Sequence, residues 1–291
     1  MEEFGIGQPA RRGEDARPPS GRRFRVGYLS HVPHRSFLDT AASRPALEVV
    51  RIPLGQPEEA VVSALAGCDA YYCMASRDEL PEPFHVHAAL LSRLPGLLMV
   101  GSTGAGYDPV DPAACTGAGV LLVNQAGGNA EGVAEHAVGM MLALLKRMPE
   151  AHAAMRAGQA GDRNALMGRE LRGRTVGLVG LGHVGARTAE ILRLAFSCRV
   201  LACDPYLDAA TVAARGAEKA DMPALLAESD VVSLHVPDLP GTRGLIGAAE
   251  IAAMRPGAYL INNARGGVVD LDALANVEVP AIYAGHPAGA R

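Results

Sequence analysis

The stretch "RTVGLVGLGHVGARTAEILRLA" (174–195) limits the fold of this chain more than any other. An apolar, strand-like run leads into Gly180, Gly182 and Gly185, and an amphipathic helical pattern follows. In such units the first glycine permits a tight turn, the second lets the backbone approach a pyrophosphate, and the third allows close helix–strand packing. The spacing therefore predicts a strand–turn–helix unit that binds a dinucleotide, with its phosphates at the helix N-terminus.

An acidic residue follows at the expected distance. Asp204 ends the next strand-like run, "CRVLACD", 19 residues beyond Gly185. A carboxylate at this position accepts a hydrogen bond from the ribose 2′-hydroxyl and repels a 2′-phosphate. Asp204 therefore favours NAD over NADP as the cofactor. An approach of Arg199 or Arg215 to the same ribose would weaken that preference, so this alternative stays open.

Short β-rich runs alternate with helical patterns from residue 23 onward. The strand-like runs are "FRVGYLS", "LEVVRIPL", "DAYYCM", "LLMVGST" and "VLLVN", then "RTVGLVG", "CRVLACD", "DVVSLHV" and "AYLINNA". Such alternation predicts an α/β fold with two doubly wound parallel-sheet units. The predicted divisions are a disordered tail at 1–22, a first domain at 23–125, a second domain at 126–275 that includes a long helix from about Ala130 to Met148, and an atypical tail at 276–291.

The overall composition argues against several kinds of partner. With 49% hydrophobic and 20% charged residues and a net charge of −4, the chain has the make-up of a soluble globular protein. This charge predicts neither a nucleic acid nor an anionic membrane as partner. The five cysteines form no CxxC pair and no His–Cys cluster, so no metal site is predicted. An odd cysteine count without a signal peptide predicts a reducing cytoplasm.

Three further stretches resemble one enzyme family. They are "GSTGAGYDPVD", "GGNAEGVAEHAVGMMLALLKR" and "HVPDLPGTRGLIGAAEIAAMRPGAYLINNARGGVVD". Together with the glycine turn they are similar to the D-isomer-specific 2-hydroxyacid dehydrogenases, the family of phosphoglycerate, glycerate and D-lactate dehydrogenases, over residues 24–275. The resemblance implies a flavodoxin-like substrate domain built from both chain ends and an inserted Rossmann NAD-binding domain. It implies an active site in the cleft between them and interconversion of a 2-hydroxy acid and its 2-keto acid.

The resemblance also implies roles for individual residues. Arg265 matches the substrate arginine, whose planar guanidinium suits bidentate binding of a 2-keto acid and polarisation of its carbonyl. Ala105 and Gly106 match a loop that presents N–H groups to the substrate carboxylate, and Asn129 matches a residue close to the substrate. The implied cofactor contacts are Gly180, Gly182, His183, Val184, Gly185, Asp204, His235, Val236, Pro237, Thr242, Asn263, Ala264 and Arg265.

The last residues depart from the family pattern. Family members carry a helix and then a strand ending in an aspartate between the arginine and a catalytic glutamate, which needs roughly twenty residues or more. Only twelve lie between Arg265 and Glu278, so the strand and its aspartate are predicted to be absent. Glu278 is interpreted as a remnant of the catalytic acid. His286 stands in "GHP", whereas the family's proton-donating histidine follows a proline. His286 is therefore interpreted as a loop residue, and the alternative that it is that acid stays open.

Three hypotheses about activity remain open on the sequence. The chain is a dehydrogenase whose activity is impaired by its tail, an NAD-binding module without turnover that acts as a sensor or interaction partner, or a truncated or frame-shifted version of an ordinary enzyme. A homodimer is also expected, because apolar residues cover most of the circumference of the long helix. These residues are Val133, Val138, Met140, Met141, Leu144, Leu145 and Met148.

Overall fold

The computed structural model describes residues 22–30, 32, 34–159, 164–275 and 282–284, the last three as backbone only. The chain divides into two compact units, Met1–Gly128 and Asn129–Arg291. Each unit is an α/β structure built on a parallel sheet. The predicted fold class of two doubly wound parallel-sheet units is confirmed.

The first unit contains the five strands that the sequence predicts. They are β1 (Phe24–Leu29), β2 (Leu47–Ile52), β3 (Ala70–Cys73), β4 (Met99–Ser102) and β5 (Leu121–Val123). The sheet order is β2-β1-β3-β4-β5 with every pairing parallel. This is the flavodoxin-like order, whose reversal between β1 and β3 marks the point where ligands collect in such sheets.

In the described part of this unit, four α-helices accompany the sheet. They are α1 (Arg35–Ala42), α2 (Glu58–Ala66), α3 (Ala88–Ser92) and α4 (Pro112–Ala118), with 3-10 turns at Arg77–Glu79 and Glu82–Phe84. Helix α4 shows how local sequence sets the limits of an element. Asp111 caps its N-terminus by accepting from two backbone N–H groups, Pro112 occupies the first turn, and Gly119 ends the helix at φ +66°. The core of the unit is aliphatic around the fully buried Tyr71.

The second unit has a six-stranded sheet. Its strands are β6 (Thr175–Val179), β7 (Arg199–Cys203), β8 (Glu218–Lys219), β9 (Val231–Leu234), β10 (Tyr259–Asn262) and β11 (Ile282–Ala284). The order β11-β10-β9-β6-β7-β8 is all parallel. Counted from β6 this is the strand order of the dinucleotide-binding folds, and it reverses between β6 and β9. The chain leaves β6 through the glycine turn at that reversal.

Seven α-helices accompany this sheet in the described ranges. They are α5 (Ala130–Leu145), α6 (Met148–Arg156), α7 (His183–Phe196), α8 (Ala209–Ala214), α9 (Met222–Glu228), α10 (Ala248–Ala253) and α11 (Leu271–Ala275), with a 3-10 turn at Gly266–Val268. Two apolar clusters form the core, one of them containing residues of α5, α7 and β6. No helix in the described ranges is both long enough and apolar enough to cross a membrane.

The long helix ends earlier than predicted. Helix α5 stops at Leu145, and Arg147 adopts a left-handed conformation before α6 begins at Met148. A continuous helix would need the N–H of residue 149 to bond to the Leu145 carbonyl, but Pro149 has no N–H. That carbonyl accepts from the backbone N–H of Arg169 instead, at 2.7 Å. The predicted limit at Met148 is therefore wrong.

The predicted absence of a strand after the Arg265 segment is also wrong. Residues 282–284 form β11, which pairs in parallel with β10 from Leu260↔Ile282 to Asn262↔Ala284. The prediction counted residues only as far as Glu278, whereas the strand lies beyond it. An added strand satisfies the N–H and C=O groups that β10 would otherwise expose at the sheet edge. The 276–291 segment contains no aspartate, so the family's aspartate after this strand is absent, as predicted from the sequence.

The apolar residues on most sides of α5 are accounted for by packing within the second unit. Val138, Met140, Met141, Leu144 and Leu145 are all buried there. Met148, another of the seven apolar residues on which the dimer prediction rests, is 53% exposed. It is the first residue of α6, however, and does not belong to α5. The apolar pattern of α5 therefore reflects packing inside the unit and does not by itself require a partner.

Candidate cofactor and substrate site

The three glycines of the turn after β6 are required for different reasons. Gly180 has φ +90°, and a Cβ there would lie 2.7 Å from the carbonyl oxygen of His235. A Cβ on Gly185 would lie 2.3 Å from the carbonyl oxygen of Gly180, so the first turn of α7 packs directly on the turn. A Cβ on Gly182 would meet nothing within 4 Å. Only Gly182 therefore faces open space, where a ligand can approach the backbone.

The N-terminus of α7 is open to an anion. Gly182 is its N-cap residue and supplies no side-chain acceptor to the first turn. The N–H groups of His183 and Val184 belong to that turn, where intrahelical acceptors are lacking. The 14-residue helix adds the positive end of its dipole. A pyrophosphate is the kind of group that such a helix start accommodates.

Asp204 lies beside the glycine turn and contacts its backbone. One carboxylate oxygen accepts from the Leu181 N–H and the other from the Tyr206 N–H, each at 3.0 Å. These bonds hold the carboxylate at the carboxyl edge of the sheet and leave it further acceptor capacity. The Arg215 guanidinium donates to the carbonyl oxygen of Leu181. Arg215 and Asp204 thus contact the same residue from different segments.

Arg199 does not take part in this arrangement. It occupies the first position of β7, whereas Asp204 follows the last. Its guanidinium forms ion pairs with Glu218 at 2.8 Å and Glu228 at 2.6 Å. Of the two arginines considered in the sequence as possible ligands of a 2′-phosphate, only Arg215 contacts the glycine turn.

His235 begins the loop after β9 and lies against the glycine turn. Part of the residue reaches the surface, but its Nε2 atom is buried and has no hydrogen-bond partner among the described residues. Burial lowers the pKa of His235 from 6.5 to about 4, so the imidazole is neutral at neutral pH. Thr242 closes the loop by accepting from the Leu239 N–H at 2.9 Å and donating to the Pro237 carbonyl.

The turn after β10 carries Arg265. The buried Asn262 donates to the Arg265 carbonyl at 2.9 Å and accepts from the Ala264 N–H at 3.2 Å, which bends the backbone around Arg265. Arg265 is half-buried and forms the N-cap of the 3-10 turn Gly266–Val268. Sequence reasoning missed Asn262, although the asparagine pair in "NNARGG" was a visible signal. An asparagine side chain commonly bonds its own local backbone in turns.

The adjacent Asn263 joins β10 to the start of α5. Its amide donates to the Val133 carbonyl at 3.0 Å, and its Oδ1 atom is buried without a partner among the described residues. Asn129 precedes this helix and its side chain makes no capping bond. Because the strands are parallel, Asp204, His235 and Arg265 all follow strand ends at the same edge of the sheet as Gly180.

The loop after β4 has free backbone donors. Ser102 is buried, accepts from the Gly104 N–H at 3.3 Å and donates to the Gly106 carbonyl. Within the described part of the chain, the N–H groups of Ala105 and Gly106 have no hydrogen-bond acceptor. Ser102 therefore folds the loop tightly while two donors stay available. Such a cradle suits a carboxylate.

An aromatic pair beside this loop was not anticipated from the sequence. The rings of Phe37 and Tyr72 stack with centroids 4.4 Å apart and planes 12° from parallel. Tyr72 crosses the backbone of Gly101, where a Cβ would lie 3.2 Å from its ring, and its hydroxyl accepts from Gln125 at 2.7 Å. No sequence signal connected these residues, because they come from α1, β3 and the segment after β5.

The remaining sequence predictions concern the possible catalytic pair in the tail and the absence of a metal site. Glu278 and His286 lie outside the described residues. In the described ranges, no group of three or more His, Cys, Asp or Glu side chains is placed to hold a metal ion. All five cysteines are free thiols, four of them buried.

The fold and the site together define a class of protein. A parallel sheet with this order, a glycine turn at the strand reversal, an uncapped helix start and an acid after the next strand constitute a dinucleotide-binding α/β protein. Residues 138–285 match the model of the D-isomer specific 2-hydroxyacid dehydrogenase, NAD binding domain. The chain therefore belongs to the D-isomer-specific 2-hydroxyacid dehydrogenase family and carries its NAD-binding domain, as the sequence motifs predict.

Individual relatives agree with this assignment. The chain is 41% identical over 201 residues to a D-3-phosphoglycerate dehydrogenase of Mycobacterium bovis, covering 69% of this chain and 37% of that protein. It is 39% identical over 205 residues to the same enzyme of Archaeoglobus fulgidus, covering 70% and 38%. The matched part of the chain thus spans well under half the length of these relatives. A crystal structure of D-lactate dehydrogenase from Aquifex aeolicus, complexed with NAD and lactic acid, superimposes with a TM-score of 0.72 at 30% identity, covering 86% of this chain and 72% of that one.

Proposed function

We propose that this chain is an NAD-dependent oxidoreductase that interconverts a 2-hydroxy acid and its 2-keto acid. The observation that carries the proposal is the place of Arg265. It follows β10 at the same sheet edge as the glycine turn, in a turn that Asn262 shapes through two hydrogen bonds. A guanidinium at that edge suits the carboxylate and carbonyl of a small 2-keto acid.

Bound NAD(H) supplies the hydride chemistry, and the chain's own groups bind and orient the reactants. Arg265 polarises the carbonyl oxygen, so that negative charge developing there in reduction is stabilised. The free N–H groups of Ala105 and Gly106 bind the substrate carboxylate, and Asn129 supplies a further polar contact. Reduction also needs a proton at the carbonyl oxygen. Glu278, interpreted from the sequence as a remnant of the catalytic acid, and His286, interpreted as a loop residue, both lie outside the described residues.

The cofactor preference rests on Asp204. Its carboxylate accepts from the ribose 2′-hydroxyl of NAD and repels the 2′-phosphate of NADP, while Gly182 and the start of α7 bind the pyrophosphate. The Arg215 guanidinium contacts the glycine turn through the Leu181 carbonyl. It partly offsets the repulsion, and NAD remains the preferred cofactor.

The proposal is tested by two measurements on the 291-residue chain. Titration with NADH and NADPH, followed by nicotinamide fluorescence, is expected to show tighter binding of NADH. Oxidation of NADH is then followed with pyruvate, glyoxylate, hydroxypyruvate and 3-phosphohydroxypyruvate, and only slow reduction is expected, because the tail departs from the family pattern. NADH binding without turnover of any of them would identify an NAD-binding module without catalysis. Absence of NADH binding would overturn the proposal altogether.

We also propose that the chain forms a homodimer and works in a reducing cytoplasm. Helix α6 has no buried residue, and the exposed fractions of Met148, Met155 and Met167 are 53%, 79% and 68%. Exposed apolar side chains in this number favour coverage by a second copy. Light scattering at micromolar concentration is expected to give twice the monomer mass, and Met155→Glu to reduce it. Free thiols at all five cysteines support a reducing compartment.

A further inference from the structure

Two loops at the carboxyl edge of the second sheet are joined by backbone hydrogen bonds. The first is residues 238–247, which follows the His235 loop, and the second is residues 265–270, which begins at Arg265. Gly244 N–H donates to the Gly267 carbonyl at 2.8 Å, and Ile246 N–H to the Val268 carbonyl at 3.1 Å. Asp270 N–H returns a bond to the Ile246 carbonyl at 2.9 Å. A shift of one loop therefore displaces the other.

An ion pair closes the start of the first loop. The Arg243 guanidinium donates to both carboxylate oxygens of Asp238, at 3.1 and 3.2 Å. Only 19% of the Asp238 side chain is exposed, against 65% of Arg243. A pair with so exposed a partner contributes little to stability. Its two bonds do hold the carboxylate in one orientation, because bidentate pairing fixes both oxygens.

That orientation places the carboxylate against the turn that carries Arg265. A Cβ on Gly267 would lie 2.5 Å from Asp238 Oδ2, 3.0 Å from Cγ and 3.3 Å from Oδ1. Gly267 does not have a positive φ, so the constraint on a side chain there comes from the Asp238 carboxylate and not from the backbone conformation. A Cβ on the neighbouring Gly266 would meet nothing within 4 Å. The carboxylate thus packs on one glycine of the pair and not on the other.

We propose that Asp238 is a positioning residue for Arg265, held in place by Arg243 and packed on Gly267. The inference rests on the proposed function, in which Arg265 binds the 2-keto acid. Arg265 is the N-cap residue of the 3-10 turn whose second residue is Gly267, so a shift of Gly267 shifts the backbone that carries the guanidinium. Small displacements of a group that orients a substrate cost rate and affinity steeply. The pair therefore acts on substrate binding more than on cofactor binding.

The inference is tested by relief of a steric clash. Gly267→Ala is expected to raise KM for the reduced 2-keto acid by roughly tenfold or more, with the Kd of NADH changed far less. Gly266→Ala is the matched control for folding and should keep the Tm of the unmodified protein. Arg243→Ala in the Gly267→Ala background frees the carboxylate to rotate, and Asp238→Ala removes it. Each second change relieves the clash and is expected to recover most of the Tm that the clash costs, whereas KM stays raised because the carboxylate that positions Arg265 is then displaced or absent.

The outcomes separate this inference from the proposed function. If the unmodified chain binds NADH but reduces no 2-keto acid, the proposed function fails, and the recovery of Tm alone then decides whether the contact exists. If the unmodified chain is active and either second change restores KM to the unmodified value, Asp238 does not position Arg265 and the inference is overturned. A parallel loss of NADH affinity in Gly267→Ala would likewise overturn it, because the contact would then support the whole edge and not the arginine.

Discussion

A Cβ atom on Gly185 would lie 2.3 Å from the carbonyl oxygen of Gly180. The first turn of α7 therefore rests directly on the turn that ends β6. Gly182, between them, has no atom within 4 Å of its Cβ position. Gly185 is required by the packing of the folded chain, whereas Gly182 leaves room for a ligand. This difference allows the stability and the cofactor affinity of the motif to be separated.

Alanine substitutions at Gly185 and Gly182 are expected to affect different properties, thermal stability in the first case and NADH affinity in the second. Gly185→Ala should lower the free energy of unfolding by about 1–3 kcal/mol, because the added methyl overpacks the helix against the turn. Gly182→Ala should leave thermal stability nearly unchanged and weaken NADH binding, because its methyl enters the space of the pyrophosphate. Thermal denaturation and NADH titration of both variants check this. Equal Tm values for the two variants would contradict the packing argument.

Asp204→Ala is expected to reverse or abolish the preference for NADH. A hydrogen bond to a charged acceptor contributes about 1.5–3 kcal/mol, so NADH affinity should fall roughly 10- to 100-fold. NADPH affinity should rise, because the repulsion is gone and Arg215 stays beside the turn. Asp208→Ala removes the same charge from the start of α8 and should leave the preference as it is. Tighter NADPH than NADH binding by the unmodified chain would refute the assignment.

Arg265→Ala is expected to reduce kcat/KM for the 2-keto acid by about 10²-fold or more, with little change in the Kd of NADH. Arg265→Lys should recover only part of the loss, since an ammonium cannot form the planar bidentate contact. Arg255→Ala breaks an exposed ion pair with Asp230 and should leave turnover unchanged. Steady-state kinetics with NADH titration distinguish these results. Unchanged kcat/KM in Arg265→Ala would remove Arg265 from the site.

Ser102→Ala is expected to raise KM for the 2-keto acid roughly 3- to 30-fold. The Gly104 N–H and the Gly106 carbonyl would lose their hydrogen-bond partner, and the loop would lose its tight conformation. NADH binding should not change. Ser92→Ala removes a hydroxyl that bonds only the exposed carbonyl of Ala89 and serves as the control. An unaltered KM in Ser102→Ala would show that this loop does not bind the substrate.

His235 is expected to make the fold sensitive to acid. Its folded-state pKa is about 4 and its ordinary value 6.5, so between these values the unfolded chain binds the proton and the folded chain does not. The free energy of unfolding should therefore fall as the pH drops from 6.5 to 4, by roughly 1–3 kcal/mol. His235→Asn should flatten this part of the denaturation profile, whereas His152→Gln on the exposed side of α6 should not. A slope that persists in His235→Asn would assign it to other groups.

Much of the fold could be predicted because it depends on local patterns. Nine apolar runs became strands, and the glycine spacing placed the turn at the strand reversal. Boundaries were less predictable. Pro149 prevents α5 from continuing, but the Leu145 carbonyl finds its partner in Arg169, 24 residues further on, and β11 pairs with the open edge of β10. Neither partner can be read from the segment itself.

The sequence by itself determined the parallel α/β architecture, the glycine turn with its acid, and the identity of Arg265 as the candidate substrate group. The first two follow from residue types at fixed spacing, because burial, turn conformation and charge are properties of short segments. The role of Arg265 is implied by the resemblance of its segment to the dehydrogenase family. Only the tertiary structure decided that Arg215 and not Arg199 contacts the glycine turn, and that the Asp238 carboxylate packs on Gly267. Those relationships join segments far apart in the chain, and their geometry is set by how the sheet brings the strand ends together.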